Sequence, residues 1–210
     1  IARDFHHDAY FGVSSFSKEW GSFILVNDAE SISEERKIFS LIHEYAHLLF
    51  HTHQYAKAEE HAFYVNAKSD IHERMADRFA GYFLMPRHLV DSYIDSRSSV
   101  DLIDMKQTFK VSIQTLYVML YEYKVISKAK YQELWNHLKE SGDLKKEPHP
   151  LKPMDITSKN QPLIEHIKAL YHHEAISASK ISEVLGLDII NTRHLLKEWS
   201  GIDERYLSLR

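Results

Sequence analysis

The sequence predicts an α+β fold, mostly helical, in which a small sheet packs on one histidine-bearing helix, with helix-turn-helix-like modules after it. Three observations carry this expectation. A short β-rich run, Phe23-Ile-Leu-Val-Asn27, is opened by Gly21-Ser22. From about Ser33 apolar residues recur at three- and four-residue steps, the helical period. Glycine and proline number only 6 and 5 in 210 residues, which leaves little of the chain for turns.

Ser33 is the expected cap of a helix running to Phe50, with Glu34 and Glu35 favourable in its first turn. Phe39, Ile42, Ala46, Leu49 and Phe50 predict one wide apolar stripe along it. A polar, histidine-bearing stretch (51–70) leads to a second helix, Ile71 to Met85, ended by Pro86, with Phe79, Ala80, Phe83 and Leu84 as its core face. Residues 100–141 read as helical. Residues 142–160 hold Gly142, Pro148, Pro150 and Pro153 and read as a linker, and the last 50 residues return to helix. The expected domains are therefore a core at 1–95, a helix-turn-helix-like helical extension 96–141, the linker 142–160, and a C-terminal helical, winged-helix-like module 161–210.

Composition excludes several classes of function. There is no cysteine, so disulfide frameworks, thiolate zinc ribbons and cysteine nucleophiles are ruled out. Net charge is −4 and the isoelectric point is near 6.4, which argues against a generally basic nucleic-acid binder. No run approaches the roughly 20 apolar residues of a membrane span. The opening Ile1-Ala-Arg-Asp-Phe-His-His7 lacks the apolar core of a signal peptide, so the expected address is cytoplasmic. The missing initiator methionine predicts a processed product or a fragment with further chain upstream. Histidine, at 15 residues, directs attention to metal sites built from imidazole and carboxylate.

The chemistry concentrates in His43-Glu44-Tyr45-Ala46-His47. Four residues at 100° each set His43 and His47 about 40° apart on one helix face, where both can grip a single cation. Glu44 lies beside that face, within reach of a water on the metal. For this composition a chance His-Glu-x-x-His arises about 0.08 times per chain, so the motif alone does not decide. Its setting does more, because polar side chains interrupting an apolar face are costly unless a metal compensates. A third ligand is needed, and Glu73 and Asp77, four apart on the next helix, share a face. One carboxylate from that helix completes a His₂Glu site open to water, and Asp77 then suits the role of accepting a ligand's free N–H.

The strand at 23–27, the run from Glu35 to Phe50 with its His43-Glu44-x-x-His47, and Glu73-Arg-Met-Ala-Asp77 continuing to Leu84-Met85-Pro86 together resemble the ImmA/IrrE family of metallo-endopeptidases. The likeness covers roughly residues 20–125 and includes Arg36. It implies a gluzincin-like (zincin-like) core over residues 1–95, with His43, His47 and Glu73 as metal ligands and Glu44 as the catalytic glutamate. The family often has asparagine where this chain has Asp77. Some members cut transcriptional repressors of mobile elements or of the DNA-damage response, and members often carry an upstream repressor-like DNA-binding domain. The implied function is therefore cleavage of a specific regulatory protein, a transcriptional repressor, in a stress, phage or mobile-element response.

The expected cofactor is one divalent ion, zinc first, with manganese or iron also admitted by these donors. The substrate is expected to lie along Phe23, Ile24, Leu25 and Val26 as an edge strand. Candidate oxyanion donors, by nearness in sequence, are Tyr64, His72 and Tyr82, and His72 is also a rival ligand to Glu73. His6, His7, His51, His53, His61 and His88 read as solvated loop histidines. Two helix-turn-helix-like segments stand out, 102–120 with a break at Lys110-Val111-Ser112, and 177–199 turning at Gly186. In the second, Asn191, Arg193, His194 and Lys197 would face a DNA groove. However, residues 151–210 carry equal numbers of acids and bases, which favours protein recognition or packing. The rival functional class is a non-catalytic regulator, antitoxin- or defence-like, that binds protein or DNA and keeps the metallopeptidase fold as scaffold.

Overall fold

The computed structural model describes residues 1–6, 10–17, 19, 21–51, 71–142, 146–153 and 160–200. The chain divides into two compact units, Ile1–Met154 and Asp155–Arg210. Among the described residues no helix is long and apolar enough to cross a membrane.

The first unit opens with strands β1 (Ala2–Arg3), β2 (Gly12–Ser17) and β3 (Gly21–Asn27), in the order β1-β3-β2. β3 pairs antiparallel with β2, from Gly12 opposite Val26 to Ser17 opposite Gly21, and parallel with β1 at Val26 and Asn27. Of the three, sequence reasoning finds only β3. Serine fills three of the six positions of β2, so it lacks an apolar alternation and becomes a strand by pairing with its neighbour. The edge-strand expectation for Phe23, Ile24, Leu25 and Val26 is corrected: β3 is the central strand, and β2 is an outer one. Buried Asn27 ties the end of β3 to two other segments, accepting from Phe5 N and Ala29 N and donating to the Tyr10 carbonyl.

Helix α1 (Glu34–Phe50) begins where the sequence predicts, with Ser33 Oγ accepting from Arg36 N at 3.3 Å. It packs against β2 and β3 on one flank and against α2 (Ile71–Leu84) on the other. The predicted apolar stripe is only partly the buried one. Ala46 is fully buried, but Leu49 and Phe50 are 47% and 44% exposed, while Glu35, Ser40 and His47 are inside. On α2 likewise Phe83 is exposed, and the tight contact is made by Ala76, Ala80 and Gly81. A Cβ on Gly81 would stand 2.6 Å from Met119 Sδ, so any larger residue here requires the Met119 side chain to move.

Pro86 ends α2 and starts a helix the sequence did not announce, α3 (Arg87–Asp95). Then come α4 (Leu102–Phe109), α5 (Ile113–Glu122) and α6 (Lys128–Ser141). The α4–α5 break falls at the predicted place: Lys110 takes the left-handed conformation at φ 55° and Ser112 caps α5. Met85, Val90, Met105, Leu116, Leu120 and Leu138 form the core of this part. An ion cluster built on the fully buried pair Lys106 and Glu35 supports it. Lys106 Nζ donates to Glu35 at 2.6 Å, to the His149 carbonyl at 2.9 Å and lies 3.2 Å from Glu147. Leu151 N also donates to Glu35, so residues 146–153 are anchored to α1 and α4.

The second unit contains α7 (Gln161–His172), α8 (Ala178–Leu185) and α9 (Ile189–Ser200) around Ile164, Ile167, Ile181, Leu185 and Leu196. Ser177 caps α8, Gly186 closes it at φ 64°, and Asp188 accepts from the first N–H groups of α9. Among the described residues this unit is wholly helical.

Candidate metal centre

The site lies between α1 and α2. His43 and His47 rise from one face of α1 and meet Glu73 in the first turn of α2. The Nε2 atoms of the two histidines are 3.1 Å apart. Glu73 Oε2 is 3.2 Å from His43 Nε2, and its Oε1 is 3.3 Å from His47 Nε2. A tetrahedral ion with ligand bonds of about 2.0–2.1 Å separates its donors by about 3.3–3.4 Å, so the three side chains are already spaced as one cation would hold them. Their donor chemistry agrees: two imidazoles and a carboxylate, no sulfur, the set of a catalytic zinc site with an open fourth position.

Each histidine has a second contact. His43 Nδ1 donates to Asp77 Oδ1 at 2.8 Å, which leaves its Nε2 lone pair for the cation side. Burial by itself lowers the His43 pKa, but the hydrogen bond and charge of Asp77, with Glu44 and Glu73 adding, outweigh it and raise the pKa above the ordinary value. His47 goes the other way, held down by burial and by its neighbour His43. Its Nδ1 meets His51 Nδ1 at 2.9 Å. That overturns the reading of His51 as a solvated histidine, since it is 4% exposed.

Glu44 points away from α2, toward the sheet. Ser14 Oγ of β2 donates to Glu44 Oε2 at 2.6 Å, and a Cβ on Gly12 would lie 2.9 Å from Glu44 Cγ. Burial pushes the Glu44 carboxyl up, partly offset by the Ser14 hydrogen bond and by His43. A raised carboxyl beside a metal-ligand cluster is suited to take and return a proton. Arg36 stands on the same face of α1, two turns before His43, with its guanidinium 4.1 Å from the centre of the Phe11 ring.

Other predicted site residues lie elsewhere. The Tyr82 hydroxyl donates to Glu122 at 2.6 Å, and His72 rests its ring against His51 with centroids 4.4 Å apart, the donor group itself being His43, His47 and Glu73. Tyr64, His7, His53 and His61 lie outside the described residues. Arg193, His194 and Lys197 are on α9, and Asn191 turns back to Asp188 at 2.6 Å. Ser14, Gly12 and His51 are the site residues sequence reasoning missed. His51 alone had a visible signal, the same four-residue step that joins His43 to His47.

A small sheet against a helix bearing two histidines, completed by a carboxylate from the next helix, defines a metallopeptidase-like scaffold. The chain belongs to the peptidase family described as the IrrE N-terminal-like domain (Peptidase M78), whose sequence model matches residues 3–121. No curated protein matches the chain.

Proposed function

We propose that this chain is a metal-dependent endopeptidase that cleaves one specific regulatory protein, a transcriptional repressor, in a cytoplasmic stress, phage or mobile-element response. The observation that carries the reading is the spacing of His43, His47 and Glu73, three donors preset around the volume of a single cation, with Glu44 alongside. Family membership supports the peptidase chemistry. The repressor substrate rests on the resemblance carried by the sequence motifs.

In this reading His43, His47 and Glu73 hold zinc, with manganese as the alternative, and Asp77 orients His43. An ion held there would supply Lewis acidity, the chemistry that makes water nucleophilic at neutral pH and polarises a carbonyl. Glu44 takes the proton from the attacking water and delivers it to the leaving amine. Ser14 and Gly12 keep the Glu44 carboxylate on the side facing the sheet. The substrate backbone pairs with β2, because that outer strand carries the two residues touching Glu44. Residues 1–95 form the catalytic core, 96–141 its helical extension, 142–160 the linker and 161–210 a recognition module.

The test is Glu44→Gln in the full chain, assayed on co-expressed repressors with metal content measured in parallel. The expected result is one equivalent of metal retained and cleavage lowered by about 10²–10⁴-fold. Undiminished cleavage by this variant would overturn the mechanism, and biological function surviving without cleavage would establish the scaffold class instead.

A further inference from the structure

The two histidines of the site have different outer partners. His43 gives its second N–H to a carboxylate, Asp77. His47 turns its second nitrogen to another histidine, His51, one helical step further on. His43, His47 and His51 thus form a ladder along one face of α1, with ring centroids 4.8 and 5.1 Å apart. The backbone N–H of His51 bonds to the His47 carbonyl at 2.9 Å, and its ring packs on His72, the neighbour of Glu73. The ring is therefore held from both helices that carry the donor cluster.

We propose that His51 is a positioning residue that fixes His47 in the tautomer able to ligate a metal, by accepting a hydrogen bond from His47 Nδ1–H. This rests on the metallopeptidase reading. A neutral imidazole has one N–H and one lone pair. For Nε2 of His47 to offer its lone pair to a cation, the proton must sit on Nδ1, and the tautomer is then held by an acceptor for that N–H. His51 Nδ1 stands at hydrogen-bond distance to be that acceptor, which places the proton of His51 on its Nε2. With the opposite polarity the proton of His47 would lie on Nε2, facing His43 and Glu73, and the ligand lone pair would be gone. Glu73 and Asp77 already act on His47, and a neutral ring fixes the tautomer without adding another negative charge.

The test compares two side chains of nearly equal shape in the full chain, His51→Asn, whose amide oxygen accepts, and His51→Leu, which cannot. Zinc affinity is measured by competition with a chromophoric chelator, ligand geometry by the visible spectrum of the Co²⁺ form, and folding by circular dichroism. His43→Ala serves as the ligand-loss control. The expected result is a folded His51→Leu protein with zinc affinity about 10- to 100-fold weaker and an altered cobalt spectrum, while His51→Asn keeps most of the affinity. Should His51→Leu fail to fold, His51→Met, which fills the ring's volume without a comparable acceptor, takes its place. Equal affinities for the Asn and Leu (or Met) variants overturn the proposal while leaving the metal site intact. A wild-type chain that binds no zinc, or one whose binding survives His43→Ala, overturns the metallopeptidase reading and this inference with it.

Discussion

Gly12 and Ser14 show how narrowly single residues set the candidate catalytic group. The serine hydroxyl holds one Glu44 oxygen at 2.6 Å, and the missing Cβ of Gly12 leaves room for the Glu44 stem. Gly12→Ala therefore pushes the carboxylate aside by several tenths of an ångström. We expect it to lower kcat by about 10- to 100-fold with metal content unchanged, because displacement of a reacting group by about 1 Å costs roughly 10²-fold. Unchanged kcat in this variant would mean that Glu44 works from another position. Asp77→Ala should weaken zinc by about 10- to 100-fold in the chelator assay, since His43 would lose the acceptor that orients it. Asp77→Asn should lose less, because an amide oxygen can still accept from His43 Nδ1.

At the scale of elements, the ion cluster between α1, α4 and residues 146–153 is the feature most exposed to mutation. Lys106 and Glu35 are fully buried and Glu147 nearly so. Lys106→Met would leave two buried carboxylates without their cation, and about 3–5 kcal/mol of stability should be lost in urea unfolding. A loss under about 1 kcal/mol would show that the cluster relaxes into water. Glu147 also predicts a pH dependence. Burial pushes its carboxyl above the ordinary value of 4.5, opposed by the Ile113 N–H and by Lys106. The folded chain thus binds this proton more readily than the unfolded chain. Its contribution to stability falls as pH rises from 4.5 through the elevated folded value and is level above that. Glu147→Gln should remove that slope from a series of unfolding curves.

For the whole molecule, the two units divide the chemistry. The family match ends at residue 121, inside the first unit, and the donor cluster lies wholly within it. The second unit offers α9, where Arg193, His194 and Lys197 share a helix with Ile189 and Ile190, 52% and 64% exposed. An apolar pair at the start of this helix, in a segment without net charge, suits a protein partner better than phosphates. The full chain should accordingly bind duplex DNA no more tightly than about 10⁻⁴ M at physiological salt. Submicromolar binding that falls steeply with salt would reverse that assignment.

The sequence by itself determined whatever depends on neighbours along the chain. Ser33 marks a helix start, Lys110-Val111-Ser112 a break, Gly186 a turn and Pro86 an end, and the four-residue step from His43 to His47 puts two imidazoles on one face. These rest on local hydrogen bonding and helical period, which a linear reading contains. Glu73 was legible too, because its helix is regular and the family pattern places it. Tertiary structure decided which faces are inside. Leu49, Phe50 and Phe83 point outward while Glu35, Lys106 and His51 are buried, since a charge or a ring nitrogen can be enclosed once partners distant in sequence meet it. It also decided the place of β3, the role of serine-rich β2, and the contact of Ser14 with Glu44 across 30 residues. Pairing between strands and burial of polar groups are properties of two segments at once, and no single stretch of sequence states them.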